Sequence, residues 1–538
     1  MRSQWNGPHY FAKIVTLLLL SAALHGQTYN NIYNFDGPHG CCSTFPQVLA
    51  QGRDGNMYGT AIAGTGAASR GNVFMVTPSG AQTVLFNFDG PHGSNPQGGL
   101  SLGFDGNFYG TTVNGGANNA GVIFKISAAG GTPTVLYSFT NGNDGGFPRT
   151  PPVQAPDGNL YGGTGSGTKF AIYRLTPSGA FTVIATLPAL SQSILVLGAD
   201  GKLYGTTQYG GTFARGTAFQ VTTAGKLKIL HNFTDATGGF PIGGLVQGSD
   251  KKLYGTTYLG GTSPNGGVVY QLTTGGAYKV IKNFSNTAPA SGYALTSSLV
   301  QGSDGFLYGV CQKGGAGTRG SLFKVNTTGT TFAVLHDFAK ATGWDPESAP
   351  LLHTNGKIYG LTTAGGPADS GVVYSFDNHL KAFVSVFVIW SGKVGASANI
   401  LGQGFSNATG VKFGAGAGTF VAANDTFMTA KVVAGATTGP VTVLEPGGNL
   451  VSPQTYKVLP TVSGFNPKAG KVGAQVVVTG MSLKQATAVS FGGVKATAFT
   501  VNSDTQVTAT VPAAAKTGKV AVTTAGGVAS GPGTFTVQ

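Results

Sequence analysis

Gly248-Ser249-Asp250-Lys251-Lys252-Leu253-Tyr254-Gly255-Thr256-Thr257 decides the fold, because its central phrase recurs along the chain. The phrase is an Asp or Asn, usually a Gly, a variable residue, an apolar residue, then Tyr-Gly. It places tyrosines at 58, 109, 161, 204, 254, 308 and 359, spaced 51, 52, 43, 50, 54 and 51 residues apart. A period near 50 in a Gly-rich chain with strand-like patterning signals an array of small sheets. Working outward from Tyr254, Gly244–Gln247 reads as a first strand and the Asp250 turn leads into Leu253–Thr257 as a second. A Gly-rich loop from Leu259 to Gly267 follows, then Val268–Leu272 and Tyr278–Phe284 as third and fourth strands. Four antiparallel strands in each of seven repeats predict a seven-bladed β-propeller.

The ends of the array fit together. The seventh repeat offers a third strand, Val372–Phe376, but no fourth before the sequence changes character. Thr28–Gly37 matches the fourth-strand phrase Val84–Gly90, so it is expected to complete the last blade and close the ring. Closure would remove free sheet edges. The repeat Tyr is expected to pack between sheets, the following Gly to let the neighbouring sheet approach, and the repeat Asp to cap its turn.

These phrases resemble the GloVer tandem repeat of exported bacterial choice-of-anchor proteins over about residues 27–378, with departures at Gly163, Val310 and Leu361. The resemblance implies export and a propeller-like fold, and it carries no functional residues. The tail duplicates itself: Ser391–Gly395, Ile400–Phe405 and Val411–Gly414 recur as Ala469–Gly473, Val478–Leu483 and Val489–Gly492. Alternating strands and frequent turns predict two Ig-like sandwiches, and the motifs are similar to IPT/TIG domains. The expected organisation is a signal peptide at 1–26, the propeller at 27–378, and Ig-like domains at 379–458 and 459–538.

Arg2 and Lys13 precede and flank the apolar run Ile14–Leu24, which is too short to anchor and reads as a secretory leader cleaved near Gly26. No transmembrane segment is expected in the mature chain, so the protein is expected to be secreted or at the cell surface. Cys41, Cys42 and Cys311 allow one bridge, but unpaired thiols are the plainer reading. Net charge is +14. Residues 379–538 carry 11 Lys, no Arg and three acids. A basic tail could rest on an anionic surface; lysines that keep edge strands soluble are the plainer reading. Nucleic-acid binding would want clustered Arg and stacking aromatics, which the tail lacks.

Acids are scarce, with Glu only at 347 and 445, and six of 16 Asp residues begin repeat turns. No catalytic residue, metal site or cofactor is assigned, and no nucleophile elbow, zinc or phosphate-loop motif occurs. Asn141–Gly145 faintly resembles a calcium loop without its downstream Glu, and reads as a turn. His39 and His92 occupy matching places in Phe-Asp-Gly-Pro-His-Gly. Loop geometry carries the site expectation. Short turns fall on one rim of the ring and all long, variable loops on the other, with blade 3 shortened to leave a notch. Candidate binding residues on that rim are Arg70, Arg215 and Arg319, each just before the Gly opening strand three, and Phe147, Phe240 and Trp344 between blades. Arg with exposed aromatics suits sugars or acidic groups, though Phe147 and Phe240 could equally plug blade junctions. The expected function is non-enzymatic binding or adhesion, with an extracellular glycan or cell-envelope protein as partner. The rival is a polysaccharide-acting enzyme using Asp144, Asp345 and Glu347, and a third reading is a purely structural surface-layer component.

Overall fold

The computed structural model describes residues 27–37, 48–63, 70–165, 169–287, 289–386 and 390–538. The expected leader, Cys41, Cys42 and His39 lie outside the described residues. Seven four-stranded antiparallel sheets form a β-propeller. In blade 5, for example, the strands are Val246–Gln247, Leu253–Thr257, Val268–Leu272 and Tyr278–Asn283. The second and third strands are buried on both faces; the third, Val-Val-Tyr-Gln-Leu, reads as a nearly continuous apolar run, whereas the second buries Gly255 and two threonines.

The repeated phrase is a hydrogen-bonded unit. The Asp accepts the amide two residues on through one oxygen and the Tyr hydroxyl through the other. Asp54 takes Asn56 N at 3.2 Å and Tyr58 Oη at 2.7 Å. Asp105, Asp157, Asp200, Asp250 and Asp304 take their tyrosines at 2.6–3.0 Å. Asn355 replaces the Asp in blade 7 and donates Nδ2 to Tyr359 Oη at 2.9 Å. Each turn is thereby tied to a tyrosine that is itself buried in the sheet stack.

The glycine after each Tyr serves a different neighbour from the one expected. Gly59 pairs with Phe74 in register, and an added Cβ would meet the Phe74 ring tip at 2.8 Å and Leu49 at 2.9 Å. Gly255 likewise faces the Tyr270 hydroxyl. The space is used within the blade, by the strand-three aromatic lying across the sheet. Close approach of neighbouring sheets occurs instead at the hairpin between strands three and four. The fourth strand of each blade bulges: Val73 pairs with Phe86 and Phe74 with Val84, leaving Leu85 out of register. Carbonyls of such bulges abut the hairpin glycine of the next blade, so that a Cβ on Gly225 would strike the Ile184 carbonyl and one on Gly329 the Ile281 carbonyl. Both glycines also have positive φ.

Thr28–Asn34 closes the ring. It pairs antiparallel with Val372–Asp377, from Thr28↔Asp377 to Asn34↔Val372, with the same bulge, here at Ile32. The Ile32 carbonyl sits against Gly80 of blade 1, repeating the standard inter-blade contact at the seam. Tyr29 stacks on His336 of blade 6 at 3.7 Å and donates to the Thr342 carbonyl. Tyr278 makes the matching pair of contacts with His231, at 3.9 Å, and Thr237. A second latch lies on the short-turn rim. Gln51, Gln154, Gln247 and Gln301 each accept from the turn of the preceding blade, at Thr354, Phe104, Ala199 and Ser249, over 2.7–3.0 Å.

The tail forms two Ig-like β-sandwiches. The first is an eight-stranded sheet from Ser385–Val386 to Leu450–Val458 wrapped around Ile400, Phe413, Met428 and Tyr456. The second packs its layers around Val478, Phe491, Val507 and Phe535. Helix is confined to short 3-10 turns at Pro289–Ser291 and Phe405–Asn407 among the described residues. No helix among them is long and apolar enough to cross a membrane. Cys311 is a buried free thiol directed at the Ser291 carbonyl.

Two outcomes follow. Full burial of Phe35 contributes roughly 1.5–3 kcal/mol and the half-buried Ile32 and Tyr33 add less each, so deleting residues 27–36 should give aggregates in size-exclusion chromatography and abolish cooperative melting. A monomeric variant with a sharp transition would contradict this closure. Burial pushes the Asp105, Asp157 and Asp200 carboxyls up, but hydrogen bonds from the Asn107, Tyr161 and Tyr204 side chains among others outweigh it and hold all three below the ordinary carboxylate value. A carboxylate depressed in the folded state stabilises above its unfolded pKa of about 4 and loses that contribution as pH falls through the folded value. Calorimetry from about pH 5 downward should show a falling melting temperature, with a flatter acid limb in the Asp105→Asn/Asp157→Asn/Asp200→Asn variant.

Candidate functional site

The two rims of the ring are not equally available. The first sandwich rests on the rim of short turns. Thr426 Oγ1 donates to the Arg53 carbonyl at 2.7 Å in blade 1, and the Arg53 guanidinium lies 4.4 Å from the Phe427 ring centre. Thr354 Oγ1 of blade 7 donates to the Gly402 carbonyl at 3.1 Å. Across the ring, Lys457 Nζ reaches the Ala199 carbonyl of blade 4 at 2.9 Å. Contacts on blades 7, 1 and 4 set the sandwich across the axis of the propeller. Beneath it a small apolar cavity of about 230 Å³ is lined by innermost-strand residues such as Gln51, Leu102 and Leu351 together with Phe383 and Leu401. Among the described residues, the rim of long loops carries no such cover.

On that open rim, one backbone device positions the candidate residues. Asn95, Phe147, Phe240, Ala294 and Asp345 all adopt left-handed φ between 51° and 59°. Each donates its amide to the residue before the glycine opening strand three, namely Arg70, Ala120, Arg215, Gly266 and Arg319, at 2.7–3.1 Å. The carbonyls of Asn95, Phe240, Ala294 and Asp345 accept an amide from the following blade, as in Tyr258 N to Phe240 O at 3.1 Å. The clasp joins consecutive blades and aims a side chain at the loop surface.

The device separates the aromatic candidates. Phe147 and Phe240 occupy the same repeat position, whereas Trp344 stands one residue earlier, where blade 4 has Gly239. Phe147 packs against the core between blades 2 and 3. Phe240 lies edge-on to Tyr209 at 5.6 Å and 5.2 Å from the Arg215 guanidinium. Arg215 forms a forked pair with Asp235, Nε–Oδ1 2.5 Å and Nη2–Oδ2 3.1 Å. That pairing first, then the charge, holds Asp235 below the ordinary carboxylate value. Arg319 lies 5.0 Å from the Trp344 ring, whose indole N–H donates to Asp369 Oδ1 at 3.0 Å. Arg70 is exposed in a groove between blades 1 and 2. Arg215 and Phe240 are thus brought together in blade 4, Arg319 and Trp344 in blade 6, and Arg70 and Phe147 stand apart.

Sequence reasoning passed over the most exposed aromatics of the propeller. Tyr209 is 47% and Phe213 57% exposed, both on the loop between strands two and three of blade 4, beside Phe240 and Arg215. Among the described residues they are the only exposed large apolar side chains in the propeller. The signal was a departure from the repeat: Phe213 stands where blades 2, 6 and 7 have Asn118, Gly317 and Ala368.

The acids do not converge. Asp144 accepts from Tyr137 Oη at 2.9 Å, Thr140 N at 2.8 Å, the Thr140 hydroxyl and Gly142 N at 3.1 Å. Burial raises its carboxyl, and these donors more than reverse that. It serves as the knot of its own loop between blades 2 and 3. Asp345 and Glu347 lie between blades 6 and 7, where Gln312 donates to Glu347 at 2.6 Å and burial pushes Asp345 up. No group of three or more His, Cys, Asp or Glu among the described residues could hold a metal. His92 is paired with Asp89 at 2.7 Å.

Fold and rim together define a seven-bladed β-propeller carrying Ig-like modules on its short-turn side. The chain belongs to the Gloeobacter/Verrucomicrobia repeat family, whose profile matches residues 19–193 and 190–421. Residues 460–537 match the IPT/TIG domain. No curated protein matches the chain. Similar solved structures include a fungal alcohol oxidase in complex with copper, at 13% identity over 80% of this chain and 98% of that one, with a TM-score of 0.44. A gluconolactonase from Xanthomonas campestris is 15% identical over 56% and 91%, TM-score 0.35. A surface glycan-binding protein from Prevotella bryantii is 14% identical over 28% and 42%, TM-score 0.23, so the chain spans less than half of that protein.

Docking of the first sandwich rests on few polar contacts, each contributing about 0.5–1.5 kcal/mol. Replacing Thr426 by Val and Lys457 by Met together should split a separate, lower-temperature transition from the calorimetric trace and expose residues 378–386 to proteolysis. A single unshifted transition would show that these two contacts are dispensable for docking.

Proposed function

We propose that this is a secreted or cell-surface, non-enzymatic binding protein. It is exported behind the leader at 1–26. The ring over 27–378 takes an extracellular glycan on its loop-rich face, and the modules at 379–458 and 459–538 serve as docking and spacing units. The observation that carries the reading is the pair Tyr209 and Phe213, held in water on a loop of the uncovered rim. Large apolar rings left exposed on a rigid frame mark contact surfaces. A tyrosine pairs an apolar face with a hydroxyl, which suits the mixed faces of a sugar ring. Phe240 supports Tyr209 from the side, and the Arg215–Asp235 fork supplies charged donors and acceptors next to Phe240. An envelope protein recognised by the same face would use the same residues, and carbohydrate competition separates the two.

A glycan array run beside a polysaccharide-degradation assay on the purified chain tests the reading. Saturable binding without turnover is expected. Tyr209→Ala/Phe213→Ala should weaken it by at least about tenfold, or 1.4 kcal/mol, with the melting temperature unchanged. Turnover that disappears in Asp345→Asn would overturn the binding-only reading.

A further inference from the structure

Arg70, Arg215 and Arg319 occupy one position of the repeat and meet three different surroundings. Each precedes a glycine of left-handed φ, at 87°, 96° and 99°, and each gives its carbonyl to the left-handed residue of the next connection. Arg215 is neutralised by Asp235 in a forked pair. Asp235 is fixed by its own backbone, since its carbonyl accepts Gly261 N at 2.7 Å. The residue with that role between blades 1 and 2 is Gly90, whose carbonyl accepts Gly116 N at 2.8 Å. Blade 1 therefore keeps the arginine and lacks the carboxylate. The Arg70 guanidinium carbon lies 3.4 Å from where a Cβ on Gly90 would stand.

Nothing nearby replaces that carboxylate. Arg70 has no acidic partner among the described residues, and the stretches 38–47 and 64–69 outside them contain no Asp or Glu. Asp89, the adjacent acid, is engaged by the His92 amide at 2.9 Å and the His92 ring at 2.7 Å. The space is a groove of about 600 Å³ lined by Arg70, Gly90, His92, Gly116, Asn119 and Ser138. Gly116 has φ +73°, and a Cβ there would meet Val122 at 2.5 Å and Ser138 Oγ at 3.0 Å. The volume is in the range of small-ligand sites, roughly 300–1,000 Å³.

We propose that this groove is a subsite for a uronic-acid residue of an acidic glycan. The sugar carboxylate takes the place on Arg70 that Asp235 takes on Arg215, through two parallel N–H···O bonds. The glycine walls admit the ring, and Asn119 and Ser138 supply neutral polar partners for its hydroxyls. The inference rests on the glycan-binding reading and narrows it to uronate-containing polymers.

Calorimetric titration of the full chain with tetragalacturonate and with neutral galactotetraose tests it, using Arg70→Gln and Arg70→Lys. The acidic oligomer should bind at least about tenfold more tightly than the neutral one and lose that margin between about 50 and 500 mM salt. Arg70→Gln should remove the margin, the acidic oligomer then binding no more tightly than the neutral one, and Arg70→Lys, which keeps charge without the fork, should retain part of it. Equal binding of the two oligomers, or an Arg70→Gln variant that matches the parent, would overturn the uronate subsite and leave the glycan reading standing. No carbohydrate binding at all would overturn both. Displacement by polyglutamate with the same Arg70 dependence would assign the groove to an acidic protein instead.

Discussion

Thr28–Asn34 pairs with a strand whose end lies some 350 residues away, and the geometry of both rims presupposes that pairing. Gln27 and Asn378, joined at the seam, are 351 positions apart. Closing a flexible loop of that length costs about 5 kcal/mol on the logarithmic scale, beyond a constant. Full burial of Phe35 contributes roughly 1.5–3 kcal/mol, and the half-buried Ile32 and Tyr33 less each, so burial of this strand does not clearly exceed that cost. The cost falls when the inter-blade contacts hold the two ends near each other, because the chain between them is then no longer a flexible loop. The Ile32–Gly80 seam is geometrically one more copy of those contacts. Opening it would expose the Val372–Asp377 edge of blade 7 and the freed strand Thr28–Asn34 as pairing templates.

The repeat could be read so far from sequence because its defining residues interact locally. Asp and Tyr four positions apart meet within one hairpin, so their spacing carries the contact. The glycine after Tyr was placed against the wrong neighbour for the opposite reason. Its partner, the strand-three aromatic, lies 15 residues on in blade 5 and is fixed by cross-strand register, Gly255↔Tyr270. Register appears only when strands are paired. The bulge that presses Ile184 and Ile281 carbonyls on the next blade is likewise invisible to an apolar pattern, since Leu and Ile there look like any inward residue. The glutamine latches were present as recurring Val-Gln at strand ends, but their partners belong to other repeats.

The site was legible in outline and not in detail. Segregation of short and long connections follows from meander topology alone, so the rim could be named in advance. Which rim is covered depends on Thr426, Phe427 and Lys457, residues of the tail whose docking no local pattern encodes. Trp344 shows the limit of alignment by eye: one residue's difference moves it from the left-handed clasp position to the one before it, and its ring meets Arg319 and Asp369 rather than a blade core. Tyr209 and Phe213 carried a usable signal, because a repeat makes each blade a control for the others. An aromatic at a position that is otherwise Asn, Gly or Ala is not required by the scaffold.

The same comparison explains how one frame can hold chemically distinct surfaces. The clasp fixes the backbone of the residue before strand three by hydrogen bonds that involve no side chain, so that position can vary without disturbing the ring. Three blades place Arg there, and the connection that follows sets its charge state as seen by solvent. Asp235 cancels it in blade 4, an indole lies against it in blade 6, and Gly90 leaves it open in blade 1. Blade 4 gains beside its cancelled charge two exposed rings, while blade 1 gains a groove with glycine walls. An apolar platform and a cationic slot are thus produced on one rim from one repeated position, while the backbone clasp that joins the blades stays the same under both.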